Sequence, residues 1–138
     1  MNFEPFNFAR IPHIIFGARK LSELYEIIPN YGYRAIIVTG SKSLKKSGKW
    51  DEISSKLKQK NIEFDHVRVS GEPSPALVDE NAEKFRNKKV DIVIGIGGGS
   101  VIDAGKAISA MIHKTDSVKN YLEGVGHKQH DGIIISKN

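Results

Sequence analysis

An apolar, β-branched run at residues 90–94 (VDIVI) passes without a linker into residues 95–106 (GIGGGSVIDAGK). The first segment reads as a buried strand and the second as a glycine turn opening a helix. Three adjacent glycines, Gly97, Gly98 and Gly99, stand at the junction. Glycine there permits positive φ and close approach of the backbone to a ligand, and the helix directs its first-turn N–H groups and its dipole at the same point. Such a turn suits a pyrophosphate. One glycine would suffice for a tight bend, so the run of three favours a ligand over a purely structural turn. Ser100 is the expected N-cap, with Asp103 three residues on as its acidic capping partner, and both can still face the ligand. A literal G-x-G-x-x-G fingerprint is met at Gly95 and Gly97 but has Ser100 at its last position. The acidic residue expected about 20 positions further on would be Asp116, which ends no strand.

The same alternation runs through the chain. Residues 35–39 (AIIVT), 64–69 (FDHVRV), 90–94 and 133–135 read as strands, and 13–16 as an edge strand. AIIVT and VDIVI are almost continuously apolar, as parallel strands covered on both faces are. Apolar residues at helical spacing lie between them: Leu21, Leu24, Tyr25 and Ile28 before Pro29, Trp50, Ile53 and Leu57 after a candidate N-cap at Ser47, and Val78, Ala82 and Phe85 after Ser74-Pro75. A fourth helix from Ser100 turns Ala104, Ala107, Ile108 and Met111 inward. This order predicts an α/β fold, a Rossmann-like parallel sheet with helices on both faces and a crevice at the carboxyl ends of its strands. Residues 123–132 (EGVGHKQHDG) are polar and glycine-rich and read as a loop.

The length of 138 residues sets one domain. With no cysteine, disulfides, thiolate nucleophiles and cysteine-held metals are excluded. No apolar run nears the roughly 20 residues of a membrane span, and the N-terminus carries an early Glu4 and no apolar signal core, so a cytoplasmic chain with no membrane partner is expected. The net charge of +5 owes much to lysines at 42, 45, 46, 49, 56, 58 and 60. Only one aromatic residue, Trp50, lies among them, with no series of rings to stack bases, so they read as a solvated face and no nucleic-acid partner is expected.

A second loop, residues 40–46 (GSKSLKK), follows AIIVT. Its hydroxyls, amides and lysines, with no carboxylate among them, could hold a phosphate monoester; a plain solvated loop fits the spacing equally well. The five histidines are His13, His66, His113, His127 and His130. His127 and His130 have a helical spacing but lie among glycines, which argues against a metal site, and His113 is expected near a helix C-terminus.

With these residues in place the chain resembles the N-terminal half of the iron-containing (group III) alcohol dehydrogenases, within the dehydroquinate synthase-like superfamily. The resemblance runs from IPHIIFGARKL (11–21) through AIIVTGSKSLKKSG (35–48) and EPSPALVDE (72–80) to VIGIGGGSVIDAGKAIS (93–109). It implies that Gly97, Gly98, Gly99 and Ser100 lie on the cofactor pyrophosphate. Glu72, Pro73 and Ser74 would line the cofactor cleft, and Asp103 would approach the nicotinamide end. Gly40 stands where NAD-preferring members carry an aspartate for the adenosine ribose. Glycine there, followed by Ser41, Lys42 and Ser43, implies NADP over NAD. The resemblance also implies a small alcohol or aldehyde substrate, and Fe2+ or another divalent metal held by a C-terminal helical domain of the intact family. That domain and its ligands are absent from these 138 residues, so residues 1–138 are expected to be the nucleotide-binding domain, with no catalytic or metal-ligating residue of their own and the look of a truncated protein. The expectation is weak binding of NADP(H) without turnover, and dimers or larger self-associated forms from apolar surface left uncovered. The alternative is a non-catalytic nucleotide-binding module or a truncated remnant.

Overall fold

The computed structural model describes residues 2–3, 13–15, 21–112, 114, 122–123 and 132–137, with side chains from residue 21 to 114 apart from those of Ser43 and His113. The two apolar runs become neighbouring inner strands. β3 (Arg34–Gly40) pairs in parallel with both β4 (Glu63–Val69) and β5 (Ile92–Gly97). Every residue from Ala35 to Thr39 is buried, because the strand is covered on both faces. Ile36 and Val38 pack with Val67, Val69 and Val93 against α4 (Pro75–Phe85) and α5 (Gly99–Met111). Ala35 and Ile37 pack with Ile92 and Ile94 against α1 (Leu21–Ile27) and α3 (Lys49–Gln59). The period-2 alternation thus sends successive residues of one strand into two separate cores. Ala104, Ala107, Ile108 and Met111 are buried, as their helical spacing predicts.

Helix boundaries follow local chemistry, with two shifts from the sequence reading. Ser74 caps α4, its Oγ accepting from the Leu77 N–H at 3.1 Å, and Pro75 fills the first helical position. Pro29 ends α1 by tightening the chain into a 3-10 turn, Ile28–Asn30. Ser47 is not the N-cap of α3. Gly48 holds that place with φ +77°, and Ser47 Oγ only accepts a long bond, 3.4 Å, from the Lys49 N–H. Nor is Ser100 the N-cap of α5. The helix opens at Gly98, whose extended backbone places its carbonyl 3.0 Å from the Ile102 N–H. A residue without a side chain can start this helix because the chain leaves β5 already turning, and Ser100 is left in the first turn.

The sheet is also not parallel throughout. Its order is β2-β7-β5-β3-β4, where β2 is His13–Ile15 and β7 is Gly132–Lys137. β7 runs antiparallel to β5, with Gly132 opposite Gly97, and β2 runs antiparallel to β7. α5 starts at the carboxyl edge beside Gly97, and β7 starts at that same edge, at Gly132. Strand direction is decided by where the connection between them delivers the chain, which an apolar run does not encode. A separate antiparallel pair joins β1 (Asn2–Phe3) to β6 (Leu122–Glu123). The short α2 (Ser43–Lys46) lies between β3 and α3.

The amino ends of β3 and β5 are tied by one carboxylate. Asp91 Oδ2 accepts from the N–H groups of Tyr33 and Arg34, both at 3.1 Å, while the Asp91 N–H donates to the Arg34 carbonyl at 2.9 Å. Arg34 extends the tie to β4 through Glu63 at 2.8 Å and Asp65 at 3.3 Å. No helix among the described residues is long and apolar enough to cross a membrane.

Candidate nucleotide site at the carboxyl edge

Parallel strands end at one edge, so the turns that follow β3, β4 and β5 meet there. Gly40 closes β3 directly beside Val69, and Thr39 lies beside Ile96. Three of the predicted groups are therefore brought together by register alone: residues 40–43 after β3, 72–74 after β4 and 97–100 after β5.

The β5 turn is the most constrained. Gly97 has φ +153°, a backbone state side chains resist, and a Cβ placed on it would sit 2.9 Å from Val101 Cγ2. Gly98 supplies no side-chain cap, so the first-turn N–H groups of α5 have no intrahelical acceptor and point outward from the edge. Gly99 is buried and Ser100 half-buried. Ser100 Oγ lies 3.5 Å from Glu72 Oε1 across the gap between the β5 and β4 turns. Glu72 is exposed and Pro73 buried, while the Ser74 hydroxyl is engaged in capping α4. Asp103 is half-buried one turn into α5.

In the β3 turn Gly40 and Ser41 are half-buried and Lys42 is exposed. The Ser43 side chain and residues Asp116, His113, His127 and His130 lie outside what the structure describes. Among the described residues, no three His, Asp or Glu side chains converge as a metal site. The described residues do not fit the iron of the family the sequence resembles.

The sequence reading missed a buttress behind the β3 turn. His66 on β4 reaches Thr39 Oγ at 2.7 Å and stacks on Trp50, ring centroids 3.7 Å apart and planes at 19°. The available signal was parity: His66 is in register with Ile37, which points into the α1/α3 core. Burial, with the Arg68 charge adding to it, lowers the His66 pKa to about 4. The unfolded chain, near 6.5, then binds more protons than the folded one between those values. The His66 contribution is therefore fully present above about pH 6.5 and is lost as pH falls toward about 4, by about 1–2 kcal/mol after allowance for solvent screening. Urea unfolding at pH 7.5 and pH 4.5 (about three units apart) should show that loss in the native chain and a smaller one in His66→Phe.

Comparison with known proteins identifies the family. The profile of the family described as "Iron-containing alcohol dehydrogenase" matches residues 12–135. NADH-dependent butanol dehydrogenase A of Clostridium acetobutylicum is 38% identical over 111 residues, which is 78% of this chain and 28% of that protein. NADPH-dependent aldehyde reductase YqhD of Escherichia coli is 34% identical over 116 residues, 82% of this chain and 29% of its own length. Among solved structures, an NADH-dependent butanol dehydrogenase A from Thermotoga maritima superposes with TM-score 0.66 at 33% identity, over 82% of this chain and 29% of that one. The chain thus spans under a third of the relatives it matches. The relatives' names cover both NADH and NADPH, so likeness alone does not choose between the two cofactors. Motif, topology and profile converge on one assignment: this chain belongs to the iron-containing alcohol dehydrogenase family.

Proposed function

We propose that residues 1–138 form the dinucleotide-binding half of an NAD(P)-linked, metal-dependent alcohol dehydrogenase cleft, and that the cofactor is NADP(H). The observation that carries the reading is the meeting of three strand-end turns at one edge around an uncapped, glycine-rich helix start. Gly97, Gly98, Gly99 and Ser100 would hold the pyrophosphate through first-turn N–H groups and the Ser100 hydroxyl. The long, exposed contact from Ser100 to Glu72 is readily exchanged for a phosphate oxygen. Gly40, Ser41, Lys42 and Ser43 would take the adenosine ribose. A 2′-phosphate meets a lysine there and no carboxylate within the turn. Glu72, Pro73 and Ser74 form the cleft wall, and Asp103 lies toward the nicotinamide end.

When bound, the nicotinamide supplies or accepts the hydride exchanged with a small alcohol or aldehyde. This chain's part is to bind and orient it against the sheet edge. The reading includes weak NADP(H) binding by these 138 residues with no alcohol turnover of their own. It also includes self-association, for which the exposed large hydrophobic side chain among the described residues is Tyr33, at 56%.

Calorimetric titration with NADPH and NADH in parallel, at low and moderate salt, tests the reading. The expected result is NADPH tighter by about tenfold, with the margin shrinking as salt screens Lys42. Equal affinity would leave the family cofactor site standing and remove the NADP preference. Absence of binding by demonstrably folded protein would remove the site.

A further inference from the structure

The segment that would take the adenosine ribose is bracketed by two residues that touch the same imidazole. Thr39, 1% exposed, immediately precedes Gly40, and its Oγ lies 2.7 Å from His66 Nε2. That oxygen also donates to the Gly40 carbonyl at 3.0 Å. A hydroxyl has one proton to give, so toward His66 it acts as acceptor, and the imidazole carries its proton on Nε2. The relay from Nε2–H through Oγ–H to the Gly40 carbonyl aims the first peptide of the turn. At the far end, Trp50 stands in the first turn of α3, stacked on the other side of the relay against His66 and meeting Phe64 edge-on at 5.9 Å. α3 begins at Gly48 with no side-chain cap, so the stack holds an end that local helix signals hold poorly.

We propose that His66 is a positioning residue that clasps both ends of segment 40–49, so that one side chain on the edge strand sets the shape of the turn presented to the adenosine 2′-position. The proposal rests on the reading of that turn given above for its ligand, and on the Thr39–His66–Trp50 geometry for the clasp itself. A closed segment held at both ends by one rigid ring has fewer conformations to lose when a ligand arrives. The clasp touches no part of the β5 turn, so its effect should be confined to the ribose end.

Two readouts on the 138-residue chain separate the clasp from the ligand reading. Amide hydrogen exchange is followed without ligand in the native chain, His66→Phe, Thr39→Val and His66→Gln. Binding of 2′,5′-ADP and of 5′-AMP is then followed by fluorescence of Trp50, the only tryptophan. His66→Phe keeps a ring but no donor, Thr39→Val removes the hydroxyl at nearly constant shape, and His66→Gln returns an N–H near the Nε2 position. Exchange across 40–49 should be about three- to tenfold faster in the Phe and Val variants, the range one hydrogen bond supports, with α5 unchanged and Gln within about twofold of native. Affinity for 2′,5′-ADP should fall by a similar factor, and for 5′-AMP by less than about twofold. Unchanged exchange over 40–49 in both variants overturns the clasp, as does acceleration spread evenly through the chain. Acceleration confined to 40–49 in protein that binds neither nucleotide sustains the clasp and overturns the reading of the turn.

Discussion

Replacing Gly32 with alanine should lower the unfolding free energy by about 3–4 kcal/mol, the largest effect expected of a single methyl group in this chain. Two separate causes add. Gly32 has φ +143°, a backbone state that is strained for any side chain by about 1–3 kcal/mol. Its absent Cβ also occupies the place of the Asp91 carboxylate: an added methyl would lie 2.3 Å from Asp91 Cγ. The carboxylate must move, and with it go the bonds from the Tyr33 and Arg34 N–H groups. Those N–H groups open β3, so the loss falls on the registration of β3 with β5. A double-mutant cycle measured by chemical denaturation divides the causes. In an Asp91→Gly background, which removes the carboxylate and also the Asp91 Cβ that would lie 2.5 Å from the added methyl, the clash is gone and Gly32→Ala should cost only the backbone strain, about 1–3 kcal/mol. An equal cost in both backgrounds would show that the carboxylate has no part in it.

At the opposite end of the sheet, Gly105 should separate small from large substitutions sharply. A Cβ on Gly105 would meet only the backbone of Gly95, at 3.7 and 3.9 Å, which is ordinary contact. Alanine therefore fits, and by removing a helix-interior glycine it should stabilise by about 0.5–1 kcal/mol. Leucine has no room. Gly95 is itself hemmed in, its own Cβ position 3.4 Å from the Val101 carbonyl, so α5 and β5 touch backbone to backbone. A larger side chain must push the helix off the strand, with a cost of about 3 kcal/mol or somewhat more. Because the first turn of α5 is the proposed pyrophosphate cradle, Gly105→Leu should also weaken dinucleotide binding in whatever fraction remains folded. Thermal unfolding of the two variants, with nucleotide titration of the leucine form, checks both parts. Tolerance of leucine without loss of stability would mean that the helix does not sit on the strand as closely as the pair of glycines indicates.

These glycines show why some of the fold was legible in advance and some was not. Gly97 announces itself within a local run, GIGGGS, and Gly98 and Gly99 beside it mark the same turn. Gly32 and Gly105 carry no such local mark. The meaning of Gly32 lies in Asp91, distant in sequence, and that of Gly105 in Gly95 on the strand before its helix, and each pair approaches only when β3, β5 and α5 assemble. The same holds at the site. The three turns could be placed at one edge because parallel strands must end together, but the capping serines could not be placed to the residue. Ser74 was legible because proline follows it. Ser47 and Ser100 were each displaced by a neighbouring glycine whose conformation is set by the strand or turn before it.

From the sequence alone came the alternation of elements, the central positions of AIIVT and VDIVI and the glycine turn, since these rest on periodicity and on residue types close together in the chain, and the family, through the resemblance of its motifs. Tertiary structure alone decided that β7 enters against β5 in the reverse direction, that Asp91 holds the start of β3, and that His66 reaches Thr39 and Trp50 at once. Each of these depends on where a connection returns the chain or on a contact across strands, and a side chain's neighbours across a sheet are set by register, which no short stretch of sequence contains.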